Sequence, residues 1–132
     1  MTPLRLQLPI AVAFGVTFKG RSVIIGEGCF INHGVYIDRG ALTLGTQVYV
    51  GPRVMFATRN HQIGESHIRA GDNIYQPISV GTGTWIGANA TILGGVAIAS
   101  GCMKAVGAVV TKNTDPDGLY AGVPAVRLKT LH

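Results

Sequence analysis

The stretch that decides the fold runs from Val80 to Ile98 and reads VGTGTWIGANATILGGVAI. An aliphatic residue returns at every sixth position of this stretch, at Val80, Ile86, Ile92 and Ile98. A spacing of six is not a multiple of 3.6, which excludes an apolar stripe along a helix. Because six is even, extended backbone can turn all of these side chains to one side. The spacing therefore predicts short strands with one buried face.

The same period runs through most of the chain. Allowing for one extra residue before Leu44 and an interruption after Phe56, nine of its ten positions are Val, Ile or Leu: Ile25, Ile31, Ile37, Leu44, Val50, Val80, Ile86, Ile92, Ile98 and Lys104. The exception is Lys104. A lysine inside a core is costly without a partner, so we expect the last coil to be open there, with the ammonium reaching solvent or a phosphate.

A second set of positions, four residues after each aliphatic one, carries small or β-branched residues: Cys29, Val35, Ala41, Val48, Val54, Thr84, Ala90, Val96, Cys102 and Ala108. Three such hexads close one triangular coil of about 18 residues, and stacked coils bury a continuous core. Glycine often follows the aliphatic residue directly, where we expect a tight corner. The two cysteines are predicted to be small buried thiols rather than a disulfide.

The 132 residues suit a single domain. We expect residues 1–24 to enter the fold and form its first coil, 25–114 to form the repeat with a loop at 57–79, and 115–132 to form a C-terminal tail. The N-terminal segment looks somewhat like a signal peptide, but Gln7 and Pro9 interrupt its apolar run, and Val12, Phe18 and Ile24 already stand six apart. We therefore expect a cytoplasmic protein without a membrane span.

Charged residues make up only 13% of the chain and hydrophobic residues 47%, which excludes a disordered protein. The net charge of +5 suits a partner that carries phosphate. Because the basic residues are scattered, without a Lys/Arg run, no nucleic-acid partner is expected.

The repeat breaks over 23 residues, from Ala57 to Ser79, which read ATRNHQIGESHIRAGDNIYQPIS. Uninterrupted loops of this length inside a compact domain are uncommon and usually functional. Two histidines, His61 and His67, lie in it. The alternative is a tolerated insertion that carries two surface histidines.

The sequences on either side, GPRVMFATRNH and QPISVGTGTWIGANATILGGV, resemble the sugar O-acetyltransferases of the hexapeptide-repeat acyltransferase superfamily. These include the galactoside, maltose and nodulation-factor enzymes. The resemblance implies an all-β fold, a left-handed parallel β-helix, with acetyl-CoA as co-substrate and no metal. It also implies a homotrimer with an active site at each subunit interface. Little room precedes Ile25 for the helical segment of larger relatives, which favours the shorter, polysaccharide-modifying branch.

By the same resemblance, His61, 16 residues before Pro77, is implied to be the catalytic base of a direct transfer without an acyl-enzyme. Imidazole can take the proton of a hydroxyl as its oxygen attacks a thioester. His67 either lines the acceptor pocket or is a solvated loop residue.

Two polar residues, Asn32 and Asp38, stand where glycine usually follows the aliphatic residue. The plain explanation is turn chemistry. The resemblance, carried by FINHGVYID, implies that Asn32 hydrogen-bonds the acceptor sugar. Asp38 is a looser match, and its carboxylate could orient the His61 imidazole or hold a sugar hydroxyl.

The coenzyme side is implied by VGAVVTKN and by the tail GVPAVRLK. The positions that match coenzyme contacts are Ala88, Val106, Thr111 and Lys112, and Trp85 either flanks the thioester or packs on a coil face. Lys112, Arg127 and Lys129 are the candidates for the coenzyme phosphates. The tail departs from the family because Val126 stands where a basic residue is usual.

The sequence thus predicts an acetyl-CoA-dependent O-acetyltransferase that acts on a hydroxyl of a sugar or a surface polysaccharide precursor. One alternative is an N-acetyltransferase of an amino sugar or an antibiotic acetyltransferase. Another is a zinc enzyme like the γ-type carbonic anhydrases, with His33, His61 and His67 as ligands. A non-catalytic β-helix scaffold is the third.

Overall fold

The computed structural model describes residues 4–132, in which every regular element is a β-strand. Fifteen of the nineteen strands stack in register into three parallel sheets that wind around one core. Sheet A contains β1 (Arg5–Leu6), β4 (Val23–Ile25), β7 (Leu42–Leu44), β12 (Ile78–Val80) and β15 (Ala97–Ile98). Sheet B contains β2 (Ala11–Val12), β5 (Phe30–Ile31), β8 (Tyr49–Val50), β13 (Trp85–Ile86) and β16 (Met103–Lys104). Sheet C contains β3 (Thr17–Phe18), β6 (Tyr36–Ile37), β9 (Met55–Ala57), β14 (Thr91–Leu93) and β17 (Val109–Val110).

The remaining four strands depart from this winding. β10 (Arg59–Ile63) and β11 (Ala70–Tyr75) form a separate antiparallel hairpin. β18 (Gly118–Ala121) adds to sheet B in parallel, and β19 (Val126–Thr130) then pairs with β18 in antiparallel fashion. The predicted loop and the predicted tail are therefore both built around antiparallel strand pairs.

The aliphatic period sets the vertical register of the coils. Ile25 lies beside Leu44, Leu44 beside Val80, and Val80 beside Ile98. All ten predicted positions are buried. The parallel coils, with one inward-facing aliphatic column on each of the three sheets, are the predicted β-helix. Because each strand has only two or three residues, the chain needs these columns for cohesion.

One predicted interior position is wrong. Ala41 is exposed, and Leu42 points into the core instead. The extra residue before Leu44 lies between Ile37 and the next strand. The second inward-facing residue therefore stands two positions before the aliphatic residue of its own strand, in keeping with strand alternation. Counted backwards in this way, the rule holds throughout: Cys29 precedes Ile31, and Ile78 precedes Val80.

The glycines after the aliphatic residues serve coil stacking, which corrects their predicted role at the corner itself. A Cβ on Gly51 would lie 2.8 Å from the nitrogen of Ala88 in the next coil, and one on Gly87 would lie 2.7 Å from the oxygen of Lys104. The left-handed corner residues stand two positions further on, at Gly28, Gln47, Arg53, Gly83 and Asn89. Close approach of neighbouring backbones is therefore what excludes a side chain at Gly51 and Gly87.

Lys104 contradicts the predicted open coil. Its side chain has no exposed surface, and its Nζ lies 3.7 Å above the centre of the Tyr120 ring. Nζ finds no hydrogen-bond partner among residues 4–132. The reason is that β18 continues sheet B beyond β16 and sets Tyr120 directly beside Lys104. Burial lowers the pKa of the lysine from 10.5 to about 8.

The first coil already belongs to the stack. Val12 lies beside Ile31 and Phe18 beside Ile37. The series Val12, Phe18 and Ile24 is one residue out of step with the main repeat, which begins at Ile25. The reason is that Ile25 points inward and Ile24 outward. Both cysteines are buried free thiols, as predicted. Among the residues described, no helix is long and apolar enough to cross a membrane.

Candidate active site

The interruption of the repeat folds as a hairpin that leaves the β-helix after β9 and returns at β12. Within it, His61 lies on β10 opposite Asn73, and His67 lies at the exposed turn between the two strands. The pairing changes from His61–Asn73 to Ile63–Ala70, which leaves one residue of β10 opposite two of β11. This is a β-bulge, a device that re-aims side chains and backbone groups.

The bulge fixes the tautomer of His61. Its Nδ1 lies 2.8 Å from the carbonyl oxygen of Gly71, which can only accept, so Nδ1 carries the proton. In the neutral ring Nε2 then holds the lone pair, and this atom has no hydrogen-bond partner among the described residues. Gly71 is needed for this contact because a Cβ there would lie 2.8 Å from the oxygen of Gln62. The hairpin therefore presents an exposed imidazole that is ready to accept a proton.

Asn32 lies at the turn after β5, and its amide orientation is defined on both sides. Oδ1 accepts from the backbone nitrogen of His33 at 2.8 Å, with the Nδ1 of the same histidine at 3.1 Å. Nδ2 donates to the hydroxyl of Tyr49 at 3.2 Å. One N–H of the amide is left to donate to a ligand, which suits the predicted contact with an acceptor oxygen.

An aromatic wall adjoins Asn32 on the outer face of sheet B. The rings of Phe30 and Tyr49 stack with centroids 5.1 Å apart, and Trp85 meets Tyr49 edge-on at 6.4 Å. Trp85 remains 49% exposed. The sequence analysis did not predict Phe30 and Tyr49 as site residues. Both stand at the outward position directly before an interior aliphatic residue, and an aromatic side chain at that position is the signal that indicates them.

Asp38 is buried, and neither of its carboxylate oxygens contacts His61. One of its carboxylate oxygens accepts from the nitrogen of Arg39 at 2.8 Å, and the other lies 3.4 Å from Nε of Arg59. The expectation that it orients the His61 ring directly is wrong, because the Gly71 carbonyl takes Nδ1. Arg59, two residues before His61, was not anticipated.

The predicted coenzyme residues fall at two different corners of the coil. Val106 (72% exposed) and Ala88 share the corner between sheets B and C with Asn32, as the nitrogen of Gly107 bonds the oxygen of Ala88. Thr111 and Lys112 are exposed at the corner between sheets C and A, where the hairpin leaves the coil. There Thr111 lines a groove of about 350 Å³ together with Arg59, Asn60, Gln76 and Leu93.

The two basic residues of the tail, Arg127 and Lys129, lie in different surroundings. The guanidinium of Arg127 bonds the oxygens of Asp115 and Pro116 at 3.3–3.4 Å and the hydroxyl of Thr130 at 3.1 Å. These contacts fold the tail onto itself, while Arg127 stays exposed. Lys112 and Lys129 are also exposed, and contact of any of these three residues with the coenzyme phosphates stays a prediction.

The chain is similar to known acetyltransferases in both sequence and structure. A family model described as the hexapeptide repeat of succinyl-transferase matches residues 15–39 and 77–112. The galactoside O-acetyltransferase of Escherichia coli is 30% identical over 106 residues, which are 80% of this chain and 52% of that protein. A hexapeptide-repeat-containing acetyltransferase of Vibrio cholerae, solved with acetyl coenzyme A, has a TM-score of 0.86 and 32% identity over 96% of this chain and 70% of its own.

A maltose O-acetyltransferase from Clostridium difficile superposes with a TM-score of 0.88 at 25% identity, over 97% of this chain and 70% of its own. The chain belongs to the hexapeptide-repeat acyltransferase superfamily. Its fold is the left-handed parallel β-helix of these acetyltransferases, as predicted. The chain spans 52% to 59% of the length of the curated relatives first matched.

Within one chain, the three histidines of the zinc-enzyme alternative are not brought together. Within residues 4–132 no three His, Cys, Asp or Glu side chains gather in a group that could hold a metal ion. His33 lies at the corner between sheets B and C, whereas His61 and His67 lie on the hairpin. The three relatives described above are acetyltransferases.

Proposed function

We propose that the protein is an acetyl-CoA-dependent O-acetyltransferase of a sugar-type acceptor, with His61 as the general base. The observation that carries this proposal is the exposed imidazole whose Nδ1 is held by the Gly71 carbonyl, which leaves the Nε2 lone pair outward. Membership of the superfamily supplies the donor, since a relative at 32% identity was solved with acetyl coenzyme A.

In the proposed reaction the acceptor hydroxyl oxygen attacks the thioester carbonyl carbon while Nε2 of His61 takes its proton. The tetrahedral intermediate collapses, the C–S bond breaks, and the imidazolium returns the proton to the departing thiolate of coenzyme A. The ester and free coenzyme A are the products. General base catalysis by an imidazole contributes about 10²- to 10⁴-fold.

A sugar is favoured as the acceptor because of what surrounds Asn32. The amide has one N–H to give to a ligand oxygen, and Phe30, Tyr49 and Trp85 present an exposed aromatic wall beside it. Apolar C–H faces of a pyranose ring pack against such a surface while its hydroxyls meet the amide. The galactoside and maltose specificities of the matched relatives are consistent with this class.

We further propose a homotrimer in which neighbouring subunits complete each site. Within one chain the hairpin with His61 leaves from one edge of sheet C, whereas Asn32, Ala88 and Val106 line the other edge. A second copy that sets its B–C corner against the hairpin would unite the base, the amide and the coenzyme residues. Lys112 and Lys129 would then meet the coenzyme phosphates.

The test is thiol release from acetyl-CoA with a panel of neutral sugars, amino sugars and nucleotide-sugars, followed by mass analysis of the product. His61→Ala is expected to lose about 10²- to 10⁴-fold in kcat. His67→Ala, at the exposed turn of the same hairpin, is the matched control and should stay near wild type. Loss of turnover in His67→Ala with activity retained in His61→Ala would overturn the assignment, and transfer confined to amines would replace O- by N-acetylation.

A further inference from the structure

The hairpin that carries His61 is held to the β-helix at its root by side chains as well as by backbone. Thr58, directly before β10, is buried, and its Oγ1 accepts from the nitrogen of Gly40 at 2.8 Å. The oxygen of Thr58 accepts from the nitrogen of Gln76, between β11 and β12, at 2.9 Å. Beyond Thr58 the backbone leaves the coil, and Arg59 is the first residue of β10.

At that point Arg59 meets the buried carboxylate of Asp38, which belongs to the preceding coil. Nε of Arg59 lies 3.4 Å from Oδ2, and the Asp38 side chain is 9% exposed against 38% for Arg59. The second carboxylate oxygen is engaged by the nitrogen of Arg39 at 2.8 Å. One carboxylate oxygen accepts a hydrogen bond and the other is paired with Arg59, so the carboxylate faces the hairpin root.

We propose that Asp38 is a positioning residue, which acts through Arg59 to fix the angle at which the hairpin presents His61. This inference rests on the proposed function, and it replaces the predicted acceptor contact of Asp38 with a role in holding the base. Arg59 and His61 are two residues apart, so their side chains lie on the same side of β10.

A small rotation of the backbone at this pair would move the His61 imidazole by a large distance. From Thr58 to His61 the extended backbone covers about 10 Å, at roughly 3.4 Å per residue. A swing of about 6° at the root therefore moves the imidazole by about 1 Å. A misplacement of that size can cost about 10²-fold in rate. A partly buried pair at the root is thus able to govern turnover without touching either substrate.

The kinetic test uses Asp38→Asn, which is isosteric and can still accept from the Arg39 nitrogen, together with Arg59→Gln and the double variant. We expect each single change to lower kcat by about 10- to 100-fold, with the KM for the acceptor within about twofold. The double variant should be no slower than the worse single one, because both changes break one pair. Arg59→Lys, which keeps a cation opposite Asp38, should recover part of the loss.

Arg39→Gln is the matched control. It removes a positive charge at the same corner and leaves the Asp38–Arg59 pair and the Arg39 backbone nitrogen in place. It should keep wild-type kcat. A raised acceptor KM in Asp38→Asn that Arg59→Gln does not share, with additive effects in the double variant, would overturn the proposal in favour of direct acceptor binding.

Amide hydrogen exchange of the unliganded protein separates this inference from the proposed activity. Segments 59–63 and 70–75 should exchange faster in Asp38→Asn and Arg59→Gln than in wild type or Arg39→Gln, with the β-helix unchanged. Unaltered exchange of the hairpin would refute the positioning role whatever the kinetics show. If wild-type protein transfers acetyl to no acceptor of the panel, the proposed function fails while the exchange result still decides whether the pair holds the hairpin.

Discussion

Replacing Lys104 by methionine is expected to stabilise the protein at neutral pH and to remove most of the rise in stability toward alkaline pH. Lys104 is fully buried beneath Tyr120, and its Nζ has no hydrogen-bond partner among the described residues. Desolvation lowers its pKa from 10.5 to about 8. Methionine fills a similar volume with an unbranched apolar chain and needs no partner.

The magnitude follows from the shift. A lowering by about 2.5 pKa units, at 1.36 kcal/mol per unit, corresponds to about 3 kcal/mol of destabilisation by the charged lysine at pH 7. The cation–π contact with Tyr120 favours the charged form and opposes this effect. Between pH 8 and 10.5 the unfolded chain still binds the proton that the folded chain has released, so the free energy of unfolding of the wild type rises with pH.

The assay is chemical denaturation of both proteins at several values of pH from 7 to 10.5. Methionine at position 104 should exceed wild type by about 3 kcal/mol at pH 7, and this gap should close by about that amount by pH 10.5. Groups common to both proteins cancel in the difference. Lys19→Met, at an exposed lysine, is the control for replacing one lysine by methionine. A gap that stays constant over the range would mean that Lys104 keeps its proton under Tyr120, and would refute the reasoning.

Two further predictions concern the groups that orient the site. Gly71→Ala places a Cβ 2.8 Å from the Gln62 oxygen. It should therefore displace the carbonyl that holds Nδ1 of His61 and lower kcat by about 10- to 100-fold. The ¹⁵N chemical shifts of the imidazole should then show mixed tautomers, and an unchanged Nδ1–H form would contradict this explanation. Tyr49→Phe removes the hydroxyl that accepts from Asn32 and should raise the KM for the acceptor about fivefold, for a hydrogen bond of about 1 kcal/mol. The KM for acetyl-CoA should not change. Tyr36→Phe on sheet C is the control. An equal effect of both variants on the acceptor KM would count against a specific role of Tyr49.

The fold was predictable because its rule is local and repeated. Each aliphatic residue of the six-residue period contacts the same position of the coils above and below, so one spacing specifies the register of every coil. Where the rule failed, the cause was either an inserted residue or a contact distant in the chain. Ala41 was misplaced by a single inserted residue, and Lys104 was misjudged because Tyr120, sixteen residues further on, covers it.

The candidate site was predictable only in part, since much of it consists of groups that residue patterns do not reveal. His61 stood out because it lies in the interruption. The carbonyl of Gly71 that sets its tautomer is a backbone atom, and it reaches the ring through a bulge that depends on strand pairing. The pairing of Asp38 with Arg59 likewise joins two coils, and the contacts of Arg127 with the oxygen of Pro116 and the hydroxyl of Thr130 depend on how the tail folds.

These failures and successes share a physical reason. A β-helix obtains its stability from identical layers, so the layers themselves cannot distinguish one acceptor or one base from another. Chemistry has to be placed where the repeat is broken: on a hairpin that leaves the coil, and on the outward positions that the core does not constrain. His61 belongs to the first kind and Tyr49 and Trp85 to the second, and Asp38 joins them by tying the hairpin to the layer beneath. It follows that changes in specificity within such a chain should arise at outward positions and at the hairpin root, whereas substitutions in the aliphatic column should alter stability alone.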